Sequence, residues 1–198
     1  MSPRESRIPL TSHLAYVFWH WPRIDVSPET YEAKLELFIS TLNASKPPGF
    51  VEALSFRVDS LPWGPERRAA YEDWYVVEDF AALGALNEAA LASETRGSHD
   101  AVARDYMKGS GGVFKQIAGD LGLREARYAT WIEKPIGPSY QSYYEDLGRI
   151  VGGKRARLWR RQMVLGPSPQ FCLHGEEMIQ LPSNLRPTTL KLHSVGPA

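Results

Sequence analysis

The sequence has a single cysteine, Cys172, among 198 residues, which excludes an internal disulfide framework and a thiolate metal cluster. Long apolar runs are also missing: no stretch reaches the length of a membrane span, and the polar first residues lack a signal-peptide core. Charge of one sign is not in excess, since 23 basic and 23 acidic residues cancel. Such a balance predicts neither a nucleic-acid nor a membrane partner. These absences together favour a soluble, cytoplasmic globular protein.

Sequence signatures of metal and nucleophile sites are absent as well. No two of the five histidines are three or four residues apart, so the spacing of a helix-borne zinc site is missing. There is no Gly-x-Ser-x-Gly motif, and Cys172 lies between Phe171 and Leu173, which favours an inert thiol. We therefore expect neither a metal nor a cofactor. A haem would need one proximal ligand, for which His99 and His174 are available.

Aromatic residues, in contrast, are abundant: they make up 11% of the chain and include six Trp and nine Tyr. Flat rings with one polar atom commonly wall the pockets of aromatic ligands. On this ground Trp74 and Trp131 are candidate ligand-binding residues. Core packing is the alternative explanation for most of the tryptophans.

One stretch of the sequence occurs twice. A strand-like run ends at Pro22 and is followed nine residues later by Tyr31; a second such run ends at Pro135 and is followed nine residues later by Tyr144. The two copies are separated by 113 positions at both points (135 − 22 and 144 − 31). This constant offset predicts a duplicated α+β unit.

The first copy, residues 13–120, is predicted to have the order strand-helix-strand-strand-helix-strand. Its first strand spans His13–Trp21, and Ser27 followed by Pro28 is typical of a helix N-terminus. The glycines of residues 109–112 predict a break before the last strand of this copy.

The second copy, residues 126–180, is shorter and lacks a second helix, so the duplication is incomplete. Its helix is predicted to begin after Ser139. Residues 1–12 and 181–198 are predicted to be irregular arms, the latter with an optional edge strand at Thr188–His193.

This element order resembles that of the ferredoxin-like α+β proteins whose antiparallel sheets form an α+β barrel, either by dimerisation or by fusion of two repeats. The resemblance implies an α+β fold made of two ferredoxin-like repeats, the second truncated. It also implies a cavity between the sheets, which some members use for small aromatic substrates or haem.

Strand alternation places Phe18 and His20 on one face of the first strand, and the 113-residue offset pairs them with Trp131 and Glu133. If the two sheets face each other, His20 and Glu133 would meet across the cavity as a general base and its orienting partner. Phe18 would lie beside them as a ligand-binding residue. The alternative is that both polar residues are strand-end groups in water.

Arginines form a second candidate group. Aligning residues 53–57 with residues 156–160 matches Arg57 with Arg160, and guanidinium groups facing a cavity suit an anionic ligand. Tyr140, at the start of the second copy's helix, could reach the same site. The alternative for the arginines is an ion pair with a carboxylate of the neighbouring strand, or exposure to solvent.

Three functional hypotheses remain. The first is a protein that binds a small aromatic or anionic molecule in a cavity between the sheets. The second is a cofactor-independent oxygenase or isomerase acting on an aromatic substrate, with His20 as the base and an arginine holding an anionic group. The third is a homo-oligomeric interaction protein without catalysis, and a filled barrel would favour it. We expect a homodimer, and the sequence does not decide whether the protein is an enzyme.

Overall fold

The computed structural model describes residues 12–64, 66, 68–163 and 169–196. Within these residues it contains four α-helices: α1 (Pro28–Ser45), α2 (Phe80–Ala90), α3 (Ser93–Asp105) and α4 (Tyr140–Val151). The strands are β1 (Leu14–Pro22), β2 (Phe50–Val58), β3 (Ala70–Val77), β4 (Tyr106–Gly119), β5 (Tyr128–Ile132), β6 (Ala156–Gln162), β7 (Phe171–Gly175), β8 (Thr188–Lys191) and β9 (His193–Ser194). None of the described helices has the length and apolar composition that crossing a membrane requires. The predicted arm at residues 1–12 lies, apart from Ser12, outside the described residues.

The strands form one antiparallel sheet in the order β8-β5-β7-β6-β4-β1-β3-β2-β9. Only Leu192 separates β8 from β9, and these strands pair with β5 and β2 respectively. One extended segment therefore joins the two sides of the sheet and closes it into a nearly complete barrel. The predicted α+β barrel is confirmed. The predicted strand at Thr188–His193 is present, but it bridges the sheet instead of lying at a free edge.

Helix α1 begins where the sequence predicts. Ser27 accepts a hydrogen bond from the backbone N–H of Thr30, and Pro28 takes the first helical position, where its fixed φ is already suitable. The helix ends at Lys46, which adopts a left-handed conformation. Its apolar stripe packs on the outer face of the sheet, and the buried members of the stripe are Tyr31, Leu35, Phe38, Ile39 and Leu42.

The glycines of residues 109–112 lie inside β4, which is a continuous strand, so the predicted break at this position is wrong. A Cβ atom at Gly109 would lie 2.3 Å from Cζ of Phe18, and one at Gly111 would lie 2.6 Å from Oη of Tyr16. The missing side chains thus leave room for two aromatic rings of β1 to lie against β4. Such close approach is a common reason for glycine within a strand.

The interior of the barrel is packed with indole rings. Trp19 and Trp131 meet with centroids 5.4 Å apart, and Trp74 and Trp159 with centroids 5.2 Å apart. All four side chains are fully buried. This packing contradicts the predicted cavity between the sheets, because the inward-facing side chains of the strands are large enough to fill the space.

The 113-residue offset between the two halves is also wrong. Ser27 and Ser139 each cap a helix, and Tyr31 and Tyr143 are each buried, which gives an offset of 112 (139 − 27 and 143 − 31). A shift of one residue exchanges the two faces of a strand. Phe18 accordingly faces the helices, whereas its predicted counterpart, Trp131, faces the barrel interior. The interpretation of the halves as two repeats stays a prediction.

Candidate functional site

A cavity of about 710 Å³ lies between the outer face of the sheet and helices α1, α2 and α3. This volume is within the usual range for small-molecule sites. The cavity is on the opposite face of β1 from the packed barrel interior. Most of its wall is apolar or aromatic, and the main contributors are Tyr16, Phe18, Phe38, Leu42, Leu86 and Val102.

Four polar side chains form the floor of this cavity: His20 of β1, Tyr31 of α1, and Asp73 and Tyr75 of β3. Nδ1 of His20 lies 2.7 Å from Oη of Tyr31. Nε2 of His20 lies 3.1 Å from Oδ2 of Asp73, and Tyr75 donates a hydrogen bond of 2.9 Å to the same oxygen. Because three elements each supply part of this cluster, its geometry is set by the tertiary fold.

Two polar atoms of the floor have no hydrogen-bond partner among the described residues. These are Nε2 of His20, whose approach to Asp73 is close but not aligned as a hydrogen bond, and Oδ1 of Asp73. His20 is 1% exposed and Asp73 is 2% exposed. A buried polar atom without a partner is costly, and such atoms are typically satisfied by a ligand or water. A hydroxyl group placed here could donate to Asp73 and accept from His20.

Tyr75 donates a hydrogen bond to Asp73, whereas the direction of the hydrogen bond between Tyr31 and His20 depends on the imidazole tautomer. Burial raises the pKa of Tyr31, and the charge of Asp73 raises it further. Burial likewise raises the pKa of Tyr75 well above its ordinary value, with Asp73 as the second cause. Both phenols therefore stay protonated at neutral pH.

Stacking fixes the plane of the His20 imidazole. Its centroid lies 5.2 Å from that of Phe18 and 5.5 Å from that of Tyr71, with both rings nearly parallel to it. Tyr71 is itself held by a hydrogen bond from its hydroxyl to Glu32. His20 is thus oriented before any ligand binds, which lowers the entropic cost of using it.

The helix side of the cavity carries a smaller polar group. Asn87 of α2 and His99 of α3 line it, and Nδ1 of His99 lies 3.1 Å from Oδ1 of Asp100. The side chain of His99 is 34% exposed, and Tyr106 is 41% exposed. These exposed residues mark the end of the cavity that is nearest to solvent.

The structure brings together only part of the predicted site. His20 and Phe18 line the cavity, but Glu133 is exposed at the end of β5 and is not part of the lining. The predicted pairing of His20 with Glu133 is wrong, because it follows from the incorrect offset. Asp73 takes the place that we assigned to Glu133. Strand alternation could have identified Asp73, since it shares a face of β3 with Tyr75 and Tyr71.

The remaining predicted residues lie elsewhere. Arg57 pairs with Glu32 of α1, with Nη1 and Oε1 3.2 Å apart, and not with the neighbouring strand. Trp74 and Trp131 pack inside the barrel, as the core-packing alternative describes, and do not line the cavity. Tyr140 and Arg160 share a separate cleft beside α4.

The barrel interior holds a buried polar cluster that sequence reasoning missed. Glu72 accepts hydrogen bonds from the indole N–H groups of Trp19 (2.8 Å) and Trp74 (2.7 Å). Burial raises the pKa of Glu72 to about 7, although the indole hydrogen bonds oppose this rise. His174 packs edge-on against Trp74 at 4.5 Å, and burial lowers its pKa to about 3. His174 is fully buried between Trp74 and Cys172, so the space beside it does not fit a haem.

Among the described residues, no group of three or more His, Cys, Asp or Glu side chains is arranged to hold a metal ion. Cys172 is a buried free thiol inside the barrel, and burial raises its pKa well above the ordinary value, with Glu72 as a second cause. The thiol is therefore held in its unreactive protonated form.

No protein-family model matches the chain, and no curated protein matches its sequence. Solved structures with a similar fold include a provisionally named monooxygenase from Fusobacterium nucleatum subsp. nucleatum (11% identity, 92% of both chains covered, TM-score 0.60). A second is a provisionally named monooxygenase from Lactobacillus acidophilus (8% identity, 92% of this chain and 94% of that chain covered, TM-score 0.51). A third is a provisionally named chlorite dismutase (8% identity, 92% of this chain and 94% of that chain covered, TM-score 0.52). At such identities the likeness is one of fold.

Proposed function

We propose that the helix-side cavity binds a small aromatic molecule that carries a hydroxyl group. The observation that carries this proposal is the pair of buried, unpartnered atoms on the cavity floor, Nε2 of His20 and Oδ1 of Asp73. A phenolic hydroxyl fits both, since it donates to the carboxylate and accepts from the imidazole N–H. Tyr31 can donate to Nδ1 of His20, which leaves the imidazole proton on Nε2.

The cavity walls favour an aromatic ligand over an aliphatic one. Tyr16, Phe18 and Phe38 present ring faces and edges to the cavity, and aromatic pairs gain about 0.5–1.5 kcal/mol beyond their burial. A volume of about 710 Å³ accommodates a ligand of two or three fused rings. The barrel is filled, and this alone would favour the interaction-protein hypothesis. The polar floor of the second cavity is what favours ligand binding instead.

A second candidate function is that of a cofactor-independent oxygenase. In this role the imidazole proton would lie on Nδ1, in a hydrogen bond to Oη of Tyr31, and Nε2 of His20, beside Asp73, would accept the hydroxyl proton of the bound ligand. The electrons of the resulting oxyanion would then form a bond between a ring carbon bearing hydrogen and O₂, and the hydroperoxide formed would lose water. The ligand loses its O–H and C–H hydrogens and becomes a quinone, while O₂ supplies the new carbonyl oxygen and the oxygen of the water.

The fold comparisons are consistent with this second candidate, because two structures of similar fold carry a monooxygenase name. The similarity to these structures is one of fold alone, so the evidence for the oxygenase candidate is the geometry of His20 and Asp73. The floor offers proton acceptors that are buried and already oriented, which proton abstraction from a bound ligand requires.

Calorimetric titration with 2-naphthol and with 2-methoxynaphthalene tests the binding proposal. We expect 2-naphthol to bind at least about tenfold more tightly than the methyl ether, because only the phenol can donate to Asp73. Asp73→Asn should abolish this preference. Asp59→Asn, at an exposed position outside the cavity, is the matched control and should retain it. Equal affinities of the wild-type protein for the two probes would refute the role of Asp73.

Oxygen uptake with anthrone, whose enol tautomer carries the hydroxyl group, tests the oxygenase candidate separately. We expect one O₂ consumed for each anthraquinone formed, with no added flavin or metal and with a chelator present. The protein could bind 2-naphthol tightly and more strongly than the methyl ether, yet consume oxygen no faster than buffer does. This result would support the binding function and contradict the oxygenase function.

The expected homodimer stays a prediction. Sedimentation equilibrium of the purified chain measures it directly, since the monomer has a mass of 22.3 kDa. A single species of twice this mass is the expected result.

A further inference from the structure

A cleft of about 570 Å³ lies on the C-terminal half of the protein, away from the proposed ligand cavity. Helix α4 supplies Tyr140 and Tyr144, β6 supplies Arg160, and Gln170 and Phe171 lie at the start of β7. No residue of this cleft lines the helix-side cavity. The cleft is therefore a second candidate site with its own chemistry.

Arg160 is the central polar residue of the cleft. Its Nη1 donates a hydrogen bond of 2.6 Å to the hydroxyl of Tyr144, and its guanidinium lies 5.5 Å from the centre of the same ring. Its Nε is buried and has no partner among the described residues. Nη1 is thus held by the tyrosine, whereas Nε is left without an acceptor. A carboxylate is the group that accepts from a guanidinium edge through two parallel hydrogen bonds.

Comparison with Arg57 shows that the two halves of the molecule treat corresponding arginines differently. Arg57 holds the same place in the segment 53–57 as Arg160 holds in the segment 156–160. Arg57 faces Glu32, whose Oε1 lies 3.2 Å from its Nη1. Glu32 is the fifth residue after the N-cap of α1, and Tyr144 is the fifth residue after the N-cap of α4. One half of the molecule neutralises its arginine with a carboxylate, whereas the other half offers a phenol.

Two further basic residues, Arg161 and Lys134, lie at or beside the cleft. Arg161 lines it, and burial lowers the pKa of this guanidinium, although nearby Tyr140 and Glu133 oppose the shift. Nζ of Lys134 lies 5.1 Å from the centre of the Tyr140 ring. Two carboxylates lie near this group: Glu133, and Glu145, which accepts a hydrogen bond of 2.8 Å from Gln141 of the cleft. Both are exposed and therefore screened by solvent. The N-terminus of α4 adds a partial positive charge at the same end.

Aromatic rings line the same cleft as Arg160. Tyr140 and Tyr144 are tilted against each other with centroids 5.9 Å apart, and Tyr140 is 53% exposed. Phe171 lies behind Tyr144 at 6.0 Å. These rings offer contact to a flat apolar group attached to the anion.

We propose that this cleft is a binding site for an aromatic carboxylate, whose carboxylate pairs with the Nε edge of Arg160 and whose ring lies against Tyr140 and Tyr144. Inorganic oxyanions share the charge chemistry but not the ring contact. The proposal does not depend on the function proposed for the helix-side cavity, because the two sites have no residue in common.

Titration of the whole chain with benzoate, benzamide and inorganic phosphate tests the site. The readouts are calorimetry and the NMR signal of the Arg160 Nε–H group, which reports binding at this cleft and not in the other cavity. We expect benzoate to shift the Arg160 signal with a dissociation constant in the millimolar range or below. Benzamide and phosphate should each bind at least about tenfold more weakly, since the first lacks the charge and the second lacks the ring.

Two variants and a matched control sharpen the test. Arg160→Gln should weaken benzoate binding at least about tenfold. Arg160→Lys should weaken it as well, because lysine keeps the charge but cannot form bidentate hydrogen bonds with a carboxylate. Arg57→Gln, at the corresponding position of the other half, should change the affinity less than about twofold. Far-UV circular dichroism establishes that each variant is folded.

Three results would overturn the proposal. The first is an Arg160 signal that does not move in the benzoate titration. The second is benzoate affinity that is unchanged by Arg160→Gln. The third is phosphate binding as tight as benzoate binding, which would show that the rings take no part in recognition.

Discussion

The carboxylate of Asp73 and the imidazole of His20 meet diagonally across β3 and β1, because Asp73 is the register partner of Phe18, two residues from His20. Their nearest atoms, Oδ2 and Nε2, are 3.1 Å apart, and both side chains are almost fully buried. Each residue keeps one polar atom unsatisfied. These two unsatisfied atoms are the ones to which we propose that a ligand hydroxyl binds.

Replacing His20 tests its part in catalysis. We expect His20→Gln to slow oxygen uptake with anthrone by at least about 100-fold, which is the usual effect of losing a general acid–base group. The affinity for 2-naphthol should fall less than about tenfold, because Asp73 remains. Rates and calorimetric affinities measured on the same preparations separate the two effects. Uptake within threefold of the wild-type rate would remove His20 from the mechanism.

Burial of the imidazole also has a consequence for stability. Its hydrogen-bonded contact with Tyr31 lies in the interior, so we expect His20→Gln to cost about 1–3 kcal/mol in the free energy of unfolding. Urea denaturation followed by tryptophan fluorescence measures this cost. The variant must be assayed at a temperature at which it is fully folded.

Three tyrosines test the offset of 112 between the two halves. Tyr31→Ala and Tyr143→Ala should each destabilise the protein by about 3–5 kcal/mol, because both side chains are buried on the inner faces of their helices. Tyr144→Ala should cost less, since that ring is only partly buried. Urea midpoints compare the three variants. The offset of 113 would be correct if Tyr144→Ala destabilised the protein as much as Tyr31→Ala while Tyr143→Ala left its stability unchanged.

Glu72 should make stability depend on pH. Its pKa of about 7 in the folded protein exceeds the ordinary value of 4.5, so the folded state binds the proton more tightly. The stabilisation is complete below about pH 4.5 and is lost as the pH rises through 7. The difference in unfolding free energy between wild type and Glu72→Gln should therefore fall by roughly 1 kcal/mol from pH 6 to pH 8. A difference that is constant across this interval would show that Glu72 does not titrate there.

His174 should give the opposite trend. Its pKa of about 3 lies below the ordinary 6.5, so its contribution is present above pH 6.5 and is lost as the pH falls towards 3. Between about pH 4.5 and pH 6.5 the slopes of Glu72 and His174 oppose each other. In Glu72→Gln the slope of His174 remains alone, and stability should drop more steeply on acidification than in the wild-type protein. Thermal melts in a series of buffers measure both slopes.

The glycines of β4 are a steric requirement of the cavity wall. Gly109→Ala should destabilise the protein by about 1–3 kcal/mol, because the new methyl group would collide with the ring of Phe18. Gly84→Ala, on α2 with open space around the added atom, is the control and should be neutral or stabilising. A displaced Phe18 should also weaken 2-naphthol binding. Equal stability of Gly109→Ala and the wild-type protein would show that the ring moves freely.

Local patterns predicted the elements of the first half well. The apolar stripe of α1 and its cap at Ser27 follow from a 3.6-residue period and from cap chemistry, both of which are properties of a short stretch. The alternation of β1 likewise separated Phe18 and His20 from Trp19 correctly.

The face of β1 that carries the site could not be predicted. Both faces are aromatic, with Trp19 and Trp21 on one and Phe18 and His20 on the other. Which of them lines a cavity depends on elements more than 50 residues away, namely α2, α3 and β4. No local pattern contains that information.

The offset failed for a different reason. The Tyr-Glu pairs that begin at Tyr31 and Tyr144 look alike, but they stand at different distances from their helix caps, Ser27 and Ser139. Side-chain identity over two residues says little about which face of a helix is buried, whereas the cap fixes the phase of the helix. Counting from the caps would have paired Tyr31 with Tyr143.

A crystal structure of the protein grown with 2-naphthol tests the proposed site most directly. We expect density for the two rings between Phe18 and Phe38, with the naphthol oxygen within hydrogen-bond distance of Oδ1 of Asp73 and Nε2 of His20. Density for the naphthol at the cleft of Arg160, or in the cavity with its oxygen turned away from Asp73, would contradict the assignment.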